Sequence, residues 1–191
     1  MTAWTEHLAR VGATLDDTAR SIAFAAPADE ARATETATIA VPLLHLGTIR
    51  SQGPDSAAFL HNLVSNDVKH MEADTAAWNS FNSPKGRMIA SLLVWTEEGG
   101  HALALSADIL PAFLKKFSMY VLRSKVKLAD ASADTALIGL AGPQAAEVAQ
   151  AAGATLPAED MRQTVSAAGV RCIRLGAQRL GRTRRYERAR P

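Results

Sequence analysis

The chain is 191 residues long, 48% hydrophobic and 21% charged, with a formal net charge of +2. That balance describes a globular protein with one large core or two small ones, and it excludes disordered and collagen-like chains. The longest apolar run, 88–95, is far shorter than the roughly 20 residues a membrane-spanning helix needs, and no basic stretch followed by an apolar core opens the chain. With a single cysteine, Cys172, no internal disulfide can form, so the expectation is a cytoplasmic protein without a membrane partner.

Trp4, Leu8 and Val11 recur at helical spacing and predict a short amphipathic opening helix. Residues 25–38, rich in Ala, Thr, Asp and Glu, read as a linker or frayed helix. A strand is expected over 43–50, running into Gly53-Pro54-Asp55, where proline and an early acid mark a helix start. That helix presents Phe59, Leu60, Leu63 and Val64 on one face and ends at Ser65-Asn66-Asp67. Residues 79–86 read as a loop before an apolar strand at 87–95, and Glu97-Glu98-Gly99-Gly100 as a hairpin turn into a strand at 101–105. Asp108 is expected to cap a helix that buries Leu110, Phe113, Leu114, Phe117 and Val121 and points Lys115 and Lys116 to water. A strand at 125–128 follows.

A second unit opens in the same grammar, with a strand at 136–141, Gly142-Pro143, and a helix through Ala152 ended by Gly153. The two Gly-Pro junctions fit an internal duplication and equally a recurrent local turn. After a strand at 170–175 the pattern stops. Six of the 21 basic residues (Arg179, Arg182, Arg184, Arg185, Arg188, Arg190) and one of the 19 acids, Glu187, lie beyond residue 178, leaving 15 basic and 18 acidic side chains in an acidic body. The tail, 179–191, offers a weak nucleic-acid or acidic-lipid contact as a polybasic arm. Its competing readings are a loose terminus or a shifted reading frame, and the last accounts best for the abrupt change of composition.

Dinucleotide, P-loop, zincin and Cys-x-x-Cys signatures are absent, and the five histidines (7, 45, 61, 70, 101) show no ligand spacing, so no metal site is expected. Cys172 reads as a small buried side chain. Asp67 sits just past a helix C-terminus, where the macrodipole disfavours a carboxylate. Either it closes a turn with Asn66, or it accepts hydrogen bonds from an amino-rich ligand such as a pterin ring. Pro84-Lys85-Gly86-Arg87 is either a turn with solvated charges or a cradle for a carboxylate or phosphate. Tyr120, Arg123, Ser124 and Lys125 form a further basic cluster.

Four blocks in register carry a family resemblance: Gly53-Pro54-Asp55-Ser56-Ala57-Ala58-Phe59-Leu60 leading to Val64-Ser65-Asn66-Asp67-Val68; Asn82-Ser83-Pro84-Lys85-Gly86-Arg87-Met88; Lys116-Phe117 through Val121-Leu122-Arg123-Ser124-Lys125-Val126; and Leu140-Ala141-Gly142-Pro143. Over about 42–146 the chain resembles the YgfZ-type folate-binding proteins, relatives of the aminomethyltransferase (T-protein) of glycine cleavage. The resemblance implies an α+β fold, a cloverleaf of antiparallel-sheet lobes with helices around a tetrahydrofolate site. The implied cofactor contacts are Asn66, Asp67, Lys85, Arg87 and Arg123, with Asp67 also the residue that would assist one-carbon transfer in a transferase. It further implies an accessory role in iron–sulfur cluster assembly or repair, with folate and iron–sulfur enzymes, tRNA-modifying ones included, as partners. The alternative is an aminomethyltransferase, against which the Pro84-Lys85-Gly86-Arg87 block speaks. The later Lys-Gly-Cys signature of such chains has no counterpart here, so the C-terminal lobe is expected to be missing and the chain truncated. The expected organisation is an N-terminal helix and linker (1–38), a first lobe (39–131), an incomplete second lobe (132–178) and the Arg-rich tail.

Overall fold

The computed structural model describes residues 3–176; the Arg-rich tail, and with it the nucleic-acid expectation, lies outside the described residues. In chain order the elements are α1 (Ala3–Arg10), β1 (Thr14–Leu15), β2 (Ile22–Ala23), α2 (Pro27–Thr36), β3 (Ile39–Pro42), β4 (Leu46–Gln52), α3 (Ser56–His61), β5 (Ala76–Asn82), β6 (Met88–Glu97), β7 (Gly100–Ser106), α4 (Leu110–Ser118), β8 (Lys127–Asp130), β9 (Ile138–Ala141), α5 (Ala145–Ala151), β10 (Gln163–Val165) and β11 (Arg171–Ile173). The centre is a five-stranded antiparallel sheet in the order β5-β6-β7-β4-β8. Three two-stranded sheets, β1-β2, β3-β9 and β10-β11, surround it.

The apolar run of β6 is explained by burial on both faces of the sheet. Leu92 and Val94 point to one side with Ile49, Phe81, Leu103 and Leu105, where α3 and α4 cover them with Phe59, Leu60, Leu110, Phe113 and Phe117. Leu93 and Trp95 point to the other side with Ala76, Ala102 and Ala104, against Leu137, Met161 and Ile173 of the second unit. On the α side the aromatic rings interlock edge to face: Phe59 lies 5.2 Å from Phe117, and Phe81 lies 5.5 Å from Phe113 and 5.4 Å from Phe117.

Several expectations are corrected. Within 25–38, where a linker or a frayed helix was expected, residues 27–36 form a helix that buries no side chain, so it has no periodic stripe to separate the two readings. The expected loop at 79–86 is strand as far as Asn82, because Asn79 and Phe81 alternate inward while polar neighbours mask the pattern. The helix expected to reach Val64 ends at His61, although Leu63 and Val64 still pack on the core. Leu43, Leu44 and His45 form the link between β3 and β4 instead of opening a strand. Asp108 caps nothing and pairs with Arg20, while Lys116 lies over the Phe81 ring, 6.0 Å from its centroid, rather than pointing freely to water.

Both Gly-Pro junctions have the same physical basis. Gly53 and Gly142 have φ of +127° and +123°. Each ends a strand and meets the chain that leads into that strand's antiparallel partner: a Cβ on Gly53 would stand 2.1 Å from the Lys125 carbonyl oxygen, and one on Gly142 would stand 2.4 Å from Thr38 Cα. Cross-links repeat at both: Lys125 N donates to Asp55 Oδ2 (2.7 Å), and Gln144 N to Thr38 Oγ1 (2.8 Å). The second junction joins β9 to β3, so a ladder crosses from residues 138–141 back to 39–42. Arg162 adds a further tie by pairing with Glu72 and Asp74, and buried Gln163 donates to the Ala73 and Thr96 carbonyls.

Candidate functional site

Downstream of α3 the chain turns back along the edge of β5. Ser65 N donates to Ser80 O (3.0 Å), and Ser80 N donates to Ser65 Oγ (2.9 Å). Buried Asn79 accepts the Asn66 N–H on its Oδ1 at 2.8 Å. Asn66 in turn accepts the Asp67 N–H at 2.9 Å and donates to the Trp78 carbonyl at 3.4 Å. Val68, next in the chain, is in the core. Asp67 is thereby held between two anchored neighbours, with its carboxylate 47% exposed.

Two imidazoles meet that carboxylate. His70 Nδ1 lies 2.7 Å from Oδ2, and the His70 backbone N–H donates to Oδ1 at 3.1 Å. His61 Nδ1, from the last turn of α3, lies 3.2 Å from Oδ1. The hydrogen bonds from His70, side chain first and backbone second, hold the Asp67 carboxyl below the usual carboxylate range, with burial opposing weakly. Asp67 is therefore an anion throughout the neutral range. The expected turn with Asn66 is closed by the Asn66 side chain accepting the Asp67 N–H, while the Asp67 carboxylate itself closes a turn with His70 and about half of its side chain faces solvent.

The other expected residues lie elsewhere. Pro84 and Lys85 occupy the middle of a turn closed by Gly86 N donating to Ser83 O (2.8 Å), with Gly86 at φ +74°. Lys85 and Arg87 are exposed at the β5–β6 hairpin tip. Arg123 lines an open cleft of about 710 Å³ together with Asp55, Tyr120, Leu122 and Ser124. Leu122 there adopts φ +45° and is 87% exposed. Among the described residues no hydrogen bond or ion pair joins Lys85, Arg87 or Arg123 to Asp67. Three residues of the Asp67 site escaped sequence reasoning: His61, His70 and Asn79. His70 was within reach, three positions after Asp67, whereas His61 and Asn79 need the end of α3 and the run of β5 to be known.

A buried polar pair elsewhere has a different character. Ser56 Oγ lies 2.9 Å from His101 Nδ1 and 2.8 Å from Ser51 Oγ, all inside the protein. Desolvation lowers the pKa of His101. Neither group lines a cleft, so the pair joins β4, α3 and β7 as structure. Cys172, expected buried, is half-buried in β11, and desolvation raises its thiol pKa.

A five-stranded antiparallel sheet with helices on one face and further small sheets on the other defines a mixed α+β protein of aminomethyltransferase-like fold. The chain belongs to the GCVT N-terminal domain family, whose model matches residues 4–181. The fold agrees with a glycine cleavage system aminomethyltransferase T from Bartonella henselae at a TM-score of 0.71, with 18% identity, over 84% of this chain and 46% of that one. Among curated relatives, an iron-sulfur cluster assembly factor IBA57 homolog from Mycosarcoma maydis is 36% identical over 47% of this chain and 26% of its own length. An aminomethyltransferase from Shouchella clausii is 30% identical over 56% of this chain and 29% of its own. The tRNA-modifying protein YgfZ from Vibrio vulnificus is 29% identical over 56% of this chain and 33% of its own. The chain thus spans a third or less of each of these relatives' lengths.

Proposed function

We propose that the protein binds tetrahydrofolate through Asp67 and acts in the cytoplasm as an accessory factor of iron–sulfur cluster assembly or repair, with iron–sulfur enzymes as clients. The observation that carries the folate reading is the ionised, half-exposed Asp67 carboxylate, held in place by Asn66, Asn79 and Val68. Each carboxylate oxygen has two lone pairs, so the oxygens facing the imidazoles still have acceptor capacity for the amino and ring N–H donors of a pterin. The residues present fit that end of the ligand. Tetrahydrofolate would supply ring nitrogens able to carry a one-carbon unit, while Asp67 would orient the ring and accept its N–H groups. Arg123, in the cleft beside Tyr120, is suited to an anionic tail of the ligand; Lys85 and Arg87 would contribute from the hairpin tip.

The iron–sulfur reading is supported by the names of the Mycosarcoma and Vibrio relatives. An aminomethyltransferase is the second reading, favoured by the Shouchella relative at 30% identity; in it Asp67 would assist one-carbon transfer. The test is a thermal melt of the purified chain with and without tetrahydrofolate, beside Asp67→Asn. Ligand at about 100 times Kd adds about 2.7 kcal/mol. At about 2 to 4 °C per kcal/mol, the wild type should shift by several degrees and Asp67→Asn should not. A cooperative melt without a shift overturns the folate reading. Methylene transfer from an aminomethyl carrier protein to tetrahydrofolate would favour the transferase instead.

A further inference from the structure

The Asp67 carboxylate is engaged on both oxygens by imidazoles from two directions. His61 comes from the end of α3 and His70 from the loop beyond Asp67, and their rings stand 6.4 Å apart at 80°. Neither histidine is among the residues that carry the family resemblance. We propose that His61 and His70 form a proton-operated gate on Asp67, which leaves the carboxylate open to the N–H donors of a pterin-class ligand when the imidazoles are neutral and clamps it shut when they are protonated. The inference rests on the folate reading above.

The geometry supplies the two states. A neutral imidazole has one N–H, and with Nδ1 2.7 Å from Oδ2 His70 gives the ionised carboxylate one hydrogen bond that a ligand donor can share or displace, while His61 Nδ1 makes no hydrogen bond. Once protonated, each imidazole becomes a cation: the His70 hydrogen bond becomes an ion pair, His61 stands as a second cation 3.2 Å from Oδ1, and the adjacent positive charge disfavours an incoming amino group. Protons reach His70 freely, its side chain being 73% exposed, whereas the His61 Nδ1 that faces Asp67 is buried. The carboxylate itself has little freedom to leave, because Asn66 and buried Val68 hold its backbone.

Other charges do not blur the switch. Around Asp67, α3 contributes His61 and the following loop contributes His70, and these two are the charged groups that act on its carboxyl. Lys69 makes no ion pair with Asp67 among the described residues. Strand β5 presents the neutral Asn79 amide and the Trp78 carbonyl, both to Asn66. Histidine as a residue type changes charge between about pH 5 and 8, whereas Asp67 stays ionised there.

The test is calorimetric titration of the full chain with tetrahydrofolate under reducing conditions from pH 5.5 to 8.5, using wild type, the His61→Gln/His70→Gln double variant and Asp67→Asn. Imidazole NMR titrations without ligand accompany it. Wild-type affinity should fall tenfold or more between pH 7.5 and 5.5, and the double variant should flatten that profile while binding more tightly than wild type at pH 5.5. Replacing Asp67 by Asn should weaken binding at every pH and alter the titration curves of both imidazoles. A flat wild-type profile, a double variant that keeps the wild-type slope, or imidazole curves indifferent to Asp67→Asn would each overturn the gate. Absence of wild-type binding at any pH overturns the folate reading and the gate's role on that ligand together, and is told apart from failure of the clamp by the NMR curves.

Discussion

Asn79 shows how much of the site depends on one buried amide. Its Oδ1 accepts the Asn66 N–H and its Nδ2 donates to Ala77 O. Replacing it by Ala should leave the Asn66 N–H without its partner, at a cost of about 1 to 3 kcal/mol, and should weaken the tetrahydrofolate response more than the loss of stability alone explains; chemical denaturation beside ligand titration separates the two effects. His101 makes a pH prediction of its own. Burial lowers its folded pKa, so below the unfolded histidine value of about 6.5 the unfolded chain takes up a proton that the folded chain resists. Stability should therefore fall as pH drops from about 6.5 towards the folded pKa and level off beneath it, and His101→Asn should flatten that slope in denaturant midpoints measured from pH 5 to 8. At this scale Asp67 was singled out on a helix expected to run to Val64, but α3 ends at His61 and the carboxylate lies beyond the reach of its macrodipole, so the reason for the choice does not hold in the structure. Its imidazole partners were not legible, because their nearness is produced by a helix end and a chain reversal that no spacing rule encodes.

Elements were most readable where burial imposes a period. The α4 stripe of Leu110, Phe113 and Phe117 and the β6–β7 hairpin match their expected places because one face of each meets the core. β5 escaped because Asn79, Ser80 and Asn82 look like turn residues, yet Asn79 lies inside the sheet and satisfies its amide there. α2 was ambiguous for the opposite reason, having no buried face at all. Within the core, Phe117 is fully buried and touches Phe59, Phe81 and Phe113; Phe117→Ala should cost about 3 to 5 kcal/mol, measurable by urea denaturation. Gly53→Ala should also be severe despite adding one carbon, because the new Cβ would collide with the Lys125 carbonyl at a φ that disfavours side chains. Its melt should drop well below that of Gly86→Ala, whose added carbon meets nothing within 4 Å.

Taken whole, the residues after β8 pack on one face of the central sheet, and that contact has an exposed part and a buried part. Arg162, with its acids Glu72 and Asp74, is on the exposed side; Gln163, bonded to Ala73 and Thr96, is buried. Surface pairs contribute little and are screened by salt, so Arg162→Ala should change the melt slightly and less so at 1 M salt. Gln163→Ala should cost about 1 to 3 kcal/mol with little salt dependence, because it removes the buried amide's bonds to the Ala73 and Thr96 carbonyls and the Oε1 that accepts from Arg171. The β3–β9 pairing was not legible in the sequence, since it joins segments 96 to 102 residues apart. That ladder also fixes an order of events in time. During synthesis β3 emerges before any strand of the central sheet, yet its partner is made only after that sheet is complete; at about 5 to 20 residues per second, the interval is roughly 5 to 20 s. Throughout it, residues 39–42 are a strand edge without a neighbour, and the nascent chain is most open to mispairing with other chains during those seconds.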